Sequence, residues 1–87
     1  MPDIQMYTTA VCPYCIAAKN LFQSKGLEWE EIRVDTDPQR LHEMLERSHG
    51  RRTVPQIFIN GHHVGGFDDL AAAEHSGQLA KWIGEKA

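Results

Sequence analysis

Ile4-Gln5-Met6-Tyr7-Thr8, followed closely by Cys12-Pro13-Tyr14-Cys15, decides the fold of this chain. The first segment alternates in polarity and reads as a short strand feeding directly into the second, which opens a helix. Pro13 suits the first helical position, where its missing N–H is not required. Cys12 therefore sits at the helix start, facing unpaired amides and the positive end of the helix dipole. Such placement can lower a cysteine pKa from about 8.5 to about 3.5–7.5. With Cys15 within reach to displace a mixed disulfide, the four residues have the layout of a redox pair.

Three plainer readings compete. A purely structural disulfide would close so short a loop that it would constrain the unfolded chain little. A closed zinc site wants four ligands, and beyond the two cysteines only the five histidines are obvious nitrogen donors. His62 and His63 are adjacent, so on a strand they point to opposite faces and cannot chelate together. Two ordinary buried cysteines fit poorly with Pro13 and Tyr14 between them at a helix start.

Composition narrows the class. Eighty-seven residues make one domain, 1–87, with room for a single core. No apolar run approaches the roughly 20 residues of a membrane span, and no basic region followed by an apolar stretch opens the chain. A net charge of −3 with mixed signs argues against nucleic acid, and two cysteines are not a secreted disulfide scaffold. A cytoplasmic monomer with no membrane partner and no bound metal is expected.

Along the chain, a helix from about Pro13 carries Tyr14, Ala17, Ala18, Leu21 and Phe22 on one face and stops at Gly26. Leu27 to Val34 is the next extended stretch. Asp37-Pro38 caps and opens a second helix with Leu41, Met44 and Leu45, ended by Gly50. Ile57-Phe58-Ile59 and His62-His63-Val64 flank Asn60-Gly61, a hairpin signal. Gly65-Gly66-Phe67 breaks the strand, and Asp68 caps a third helix through Leu70, Ala71 and Ala73. After Gly77, Leu79, Trp82 and Ile83 supply a last apolar stripe. The result is an α/β fold, βαβ plus ββα around one mixed sheet, with the cysteines at the C-terminal end of a central parallel strand, where such sheets present their sites. The histidines sit in surface patterns, loop ends or the hairpin, and Trp29 and Trp82 read as core or boundary aromatics.

In this order the chain resembles the glutaredoxins over nearly its whole length. Four motifs carry the likeness: Tyr7-Thr8, Cys12-Pro13-Tyr14-Cys15, Thr53-Val54-Pro55, and Gly65-Gly66-Phe67-Asp68-Asp69. It looks most like the small dithiol, bacterial-type members. The resemblance implies a thioredoxin-like fold with a four-stranded sheet, a cis bond before Pro55 and glutathione as co-substrate, with no permanently bound cofactor. It implies Cys12 as nucleophile and Cys15 as resolving thiol. Glutathione, itself a short peptide, would pair with the extended backbone of Thr53, Val54 and Pro55 as an added strand. Gly65 and Gly66 would admit its close approach, its γ-glutamyl carboxylate would meet free amides of the helix opening after Phe67, with Asp68 contributing its N–H, and its ammonium would meet Asp69. Tyr14 would pack along it. Arg51 and Arg52 read first as a solvated basic pair, with the glycine carboxylate of glutathione as the alternative.

The implied activity is reduction of disulfide-containing or glutathionylated proteins, recharged by glutathione and, indirectly, by glutathione reductase and NADPH. Thr9 departs from the family pattern, because many dithiol members carry Lys or Arg there; the helix terminus would have to carry more of the pKa shift, or another cation such as Lys19 or Arg52 would have to compensate. Two alternatives belong to other classes. A thioredoxin-type reductase typically has Gly-Pro between its cysteines, unlike Pro13-Tyr14. An iron–sulfur carrier would bridge two chains through Cys12 and glutathione, but members of that kind usually lack the proline or the second cysteine, and both are present.

Overall fold

The computed structural model describes residues 3–84. The elements are β1 (Ile4–Thr8), α1 (Pro13–Ser24), β2 (Glu30–Arg33), α2 (Pro38–Arg47), β3 (Gln56–Ile59), β4 (His62–Gly65), α3 (Phe67–Ser76) and α4 (Gln78–Trp82). The strands form one sheet in the order β2-β1-β3-β4. β1 and β2 are parallel, and β3 runs antiparallel to both β1 and β4. The βαβ and ββα halves thus share a four-stranded mixed sheet, which is the thioredoxin-like fold.

Alternation along β1 decides which helices cover which face. Ile4 and Met6 point to one side with Ile57 and Ile59. There they meet Ala18 and Phe22 of α1, Leu70 and Ala73 of α3, and Leu79 of α4. Tyr7 points to the other side and packs with Ile32, Val34, Phe58 and Met44 of α2. The fully buried Tyr7 ring needs a partner for its hydroxyl. It donates to the Glu43 carboxylate and accepts from Arg47 Nη1 at 2.8 Å. Burial, reinforced by Glu43, pushes the Tyr7 phenol above its ordinary pKa. The Arg47 guanidinium also lies 4.0 Å from the centre of the Phe58 ring, a cation–π contact that closes this layer.

Two boundaries and one helix face differ from the sequence reading. The ladder of β2 starts at Glu30, opposite Gln5, later than the extended stretch from Leu27 suggested. Leu27 and Trp29 pack instead beside the larger core, with Trp29 tilted against Phe22 at 5.9 Å between ring centres. Tyr14 does not join the buried face of α1, whose inward stripe is Cys15, Ala18 and Phe22. One residue before Cys15, it is turned about 100° around the helix and is 63% exposed. β4 runs on to Gly65, one residue beyond the predicted strand.

Local signals elsewhere hold. Pro38 opens α2, and the Asp37 carboxylate accepts Gln39 N–H at 3.0 Å. Asn60 and Gly61 both have positive φ, 51° and 81°, as a tight hairpin turn with matching twist requires. His62 and His63 diverge as adjacent strand residues must. His62 lies against Trp82, while His63 stacks on Phe58. Met44 is the fully covered contribution of α2 to the smaller core. Met44→Ala is expected to lower the unfolding free energy by about 2–5 kcal/mol, measured by urea titration followed by circular dichroism. A loss near zero would mean that α2 is not held by this contact.

Candidate active site

The loop between β1 and α1 brings the two cysteines to the sheet's end, and there a disulfide joins Cys12 to Cys15. Cys12 is the N-cap of α1, with extended backbone (φ −153°, ψ 93°), and its sulfur accepts the Cys15 N–H at 3.1 Å. An amide aimed at that sulfur favours negative charge on it. The loop itself is pinned. Ala10 N–H donates to the Asp35 carboxylate at 3.0 Å, and Arg33 grips the same carboxylate through two bonds of 2.8 and 2.7 Å. Arg33, with the Ala10 amide second, holds Asp35 well below the usual carboxylate pKa range.

Cys12 is less open than its position suggested. It is 6% exposed against 1% for Cys15, because its sulfur is tucked 3.7 Å from the carbonyl oxygen of Val54. The Val54–Pro55 bond is cis, as the resemblance implied.

That contact places the cysteines at the edge of a groove of about 310 Å³. All eight residues expected to bind a ligand line it: Tyr14, Thr53, Val54, Pro55, Gly66, Phe67, Asp68 and Asp69. Tyr14 and Phe67 stack with ring centres 6.3 Å apart, joining the first turns of α1 and α3 across one end. The segment Thr53-Val54-Pro55 is fixed from below by Gln56. This buried side chain donates to the Thr53 carbonyl at 3.0 Å and to Thr53 Oγ1 at 3.1 Å. Its own oxygen meets His63 Nε2 at 2.8 Å. With Gln56 acting as the acceptor, that ring nitrogen carries the proton.

The opposite wall is the start of α3, and here the capping assignment changes. Asp68 is not the cap. Gly66 occupies that position, and the Asp69 carboxylate accepts the Gly66 N–H at 3.0 Å. The strand's extra residue moves the helix start to Phe67, which puts Asp69 at the third helical position, from which a carboxylate reaches back to the cap. Gly65 has a φ of 114°, a region that favours glycine, and a Cβ there would crowd both Arg51 and Asp69. Arg51 is the residue that sequence reasoning undervalued. Instead of being simply solvated, it lines the groove and pairs with Asp69 at 3.3 Å. Its only sequence signal was position, just ahead of the groove's backbone segment.

Lys19 does not stand in for the missing cation at Thr9. It is bound to Glu31 at 2.8 Å, and Glu31 also accepts from the buried Thr8 hydroxyl at 2.9 Å. Lys19 foremost holds the Glu31 carboxyl below its ordinary pKa. Among the described residues no helix is long and apolar enough to cross a membrane, and no group of three or more His, Cys, Asp or Glu could hold a metal ion.

Comparison with known proteins agrees with this geometry. The glutaredoxin family model matches residues 4–64. The chain belongs to the glutaredoxin family. A glutaredoxin from Pseudomonas aeruginosa is 53% identical over 79 residues, spanning 91% of this chain and 93% of that protein. The solution structure of glutaredoxin from Brucella melitensis is 47% identical, with a TM-score of 0.81, covering 98% of this chain and 94% of that one. A buckwheat glutaredoxin–glutathione complex superposes with a TM-score of 0.84 at 28% identity, covering 94% of this chain and 76% of that one. Family membership makes this chain a thiol–disulfide oxidoreductase.

His63 ties the groove to pH. Burial holds its pKa below the ordinary value of 6.5, with the charge of Arg51 acting in the same sense. The unfolded chain therefore binds the proton more readily than the folded one. The contribution of His63 to stability is complete above about pH 6.5 and is lost as pH falls through the lower, folded-state value. Thermal unfolding compared at about pH 7.5 and about pH 5, on either side of the ordinary value of about 6.5, should show a falling Tm with a smaller slope in His63→Gln. An identical slope in both proteins would exclude His63 as its source.

Proposed function

We propose that this chain is a glutathione-dependent oxidoreductase that reduces protein disulfides and glutathione mixed disulfides, with residues 1–87 as one domain working as a cytoplasmic monomer. The observation that carries this reading is the contact between the disulfide and the groove. The Cys12 sulfur lies against the Val54 carbonyl, so a peptide laid along Thr53-Val54-Pro55 would bring its own sulfur to Cys12. Glutathione is a short peptide with a thiol in its middle and a carboxylate at each end, and the buckwheat relative is a complex with it.

In this reading the Val54 backbone pairs with the cysteinyl unit of glutathione. The first amides of α3, unpaired within the helix, take the γ-glutamyl carboxylate. Asp69 faces the neighbouring ammonium while keeping its bond to Gly66, and Arg51 is placed toward a carboxylate. Tyr14 and Phe67 cover the end of the groove.

Cys12 attacks the accessible sulfur of the substrate, and the sulfur that leaves carries away the electron pair. From a glutathione adduct, Cys12 departs bound to glutathione, and a second glutathione releases oxidised glutathione. From a protein disulfide, Cys15 displaces the substrate and leaves the Cys12–Cys15 disulfide. Glutaredoxin potentials of about −200 to −230 mV lie near the biochemical estimate of the cytosolic glutathione poise, so glutathione, renewed by its reductase and NADPH, suffices to recharge the pair.

The test is turnover of a glutathione mixed disulfide and of a protein disulfide with glutathione, glutathione reductase and NADPH. Cys15→Ser is expected to keep adduct reduction and to lose most protein-disulfide reduction, because no thiol at high effective concentration remains to resolve the intermediate. Cys12→Ser should abolish both. If Cys15→Ser lost adduct reduction as completely as Cys12→Ser, the division of roles would be wrong.

A further inference from the structure

Gln56 is fully buried at the start of β3, with its backbone held in the sheet opposite Tyr7. A primary amide buried on an otherwise apolar strand carries a desolvation cost that its hydrogen bonds must offset. Two of those bonds hold Thr53. The Thr53 carbonyl can only accept, so the face of the amide turned to it at 3.0 Å is the NH2 group, which also donates to Thr53 Oγ1 at 3.1 Å. The Gln56 oxygen then faces His63 Nε2 at 2.8 Å and needs a donor there. Polarity is thus passed from Thr53 to the histidine without a choice at any step, and the ring proton belongs on Nε2.

The ring that carries this N–H is itself held. It stacks on Phe58 with centres 4.8 Å apart, and Phe58 is contacted by the edge of Tyr7 and by the Arg47 guanidinium. A register shift between Ile57 and Phe58 in the β3–β4 ladder lies beside the pair, an irregularity of the kind that re-aims side chains near sites.

The consequence falls on the groove. With the Thr53 carbonyl turned in toward Gln56 and Pro55 lacking an N–H, Val54 is the one residue of the segment offering both a donor and an acceptor to an added strand. Its carbonyl stands 3.7 Å from the Cys12 sulfur, so any shift of the segment displaces a docked sulfur relative to Cys12. We propose that Gln56 and His63 are positioning residues for the exchange: the His63 N–H orients the Gln56 amide, and the amide holds Thr53 so that Val54 alone pairs with the sulfur-bearing residue of the ligand. This rests on the reading that glutathione lies along Thr53-Val54-Pro55. Both side chains act through that segment, so their loss lowers the fraction of time it is competent and weakens apparent affinity by that fraction. Once substrate fills the groove the segment is held again, and the rate at saturation is kept.

The experiment follows steady-state turnover of the cysteine–glutathione mixed disulfide with glutathione, glutathione reductase and NADPH. Gln56→Leu removes both ends of the amide at similar volume. His63→Phe keeps an aromatic ring for Phe58 and removes the N–H, whereas His63→Gln keeps a side-chain N–H. Met44→Ala weakens the core around Phe58 from α2. The first two variants should raise KM about tenfold with kcat within about twofold, and the last two should keep KM within about twofold. In the unsubstituted protein, long-range proton–nitrogen NMR at about pH 8, above the usual histidine range, should find the His63 proton on Nε2. A proton on Nδ1 would overturn the proposal, and that measurement needs no variant to fold. An unchanged KM in Gln56→Leu and His63→Phe, with or without a fall in kcat, would overturn the positioning role and leave the glutathione reading standing. A KM raised as far by His63→Gln or by Met44→Ala would also overturn it, because the pair would then act only through general stability. Failure of the unsubstituted protein to turn over the mixed disulfide would remove the glutathione reading and this proposal together.

Discussion

The amide of Cys15 pointing at the sulfur of Cys12 is the interaction on which the site depends, and most of the fold around it serves to make that geometry hold. Cys12 is the cap of α1 only because Pro13 starts the helix there and because the preceding loop cannot drift. The loop is anchored through Ala10 to Asp35, just beyond β2, and Asp35 is itself clamped by Arg33. Parallel pairing of β1 with β2 therefore positions the redox pair as well as building the sheet. Burial of Cys15, Ala18 and Phe22 then fixes the rotation of α1 about its axis.

The groove applies the same economy from the other half of the chain. β3 and β4 carry its two walls, Thr53-Val54-Pro55 leading into one strand and Gly66-Phe67-Asp68-Asp69 leading out of the other. Gln56 and His63 join those strands beneath the floor. Asp69 closes the helix cap and holds Arg51 at the rim, so one carboxylate shapes the end of the groove. A site made this way is largely backbone supported by buried polar side chains, which suits a ligand that is itself a peptide.

Much of this was legible in the sequence because its signals are local. The cysteine motif with Pro13, the Asp37-Pro38 cap and the Asn60-Gly61 turn each follow from short-range chemistry, β1 follows from alternation, and β3 follows from the apolar run Ile57-Phe58-Ile59. What was not legible depended on neighbours far along the chain. The start of β2 at Glu30 is not marked by local polarity, because Leu27 and Trp29 ahead of it spend their apolar surface against the larger core. The exposure of Tyr14 follows from the rotation of α1, which the packing against the sheet decides. The shift of the cap from Asp68 to Gly66, with Asp69 reaching back to it, follows from one extra residue in β4, and the placing of Arg51 on the groove from the resulting position of Asp69. The covering of Cys12 by Val54 brings together segments 42 residues apart, beyond any periodicity argument.

The most direct measurement is a short iodoacetamide pulse on the reduced protein at about pH 6, well below the ordinary thiol value, with mass mapping of the two cysteine peptides. With the Cys15 amide and the helix terminus favouring charge on the Cys12 sulfur, Cys12 is expected to alkylate rapidly and Cys15 hardly at all. Equal labelling of both would contradict the assignment of Cys12 as the attacking sulfur.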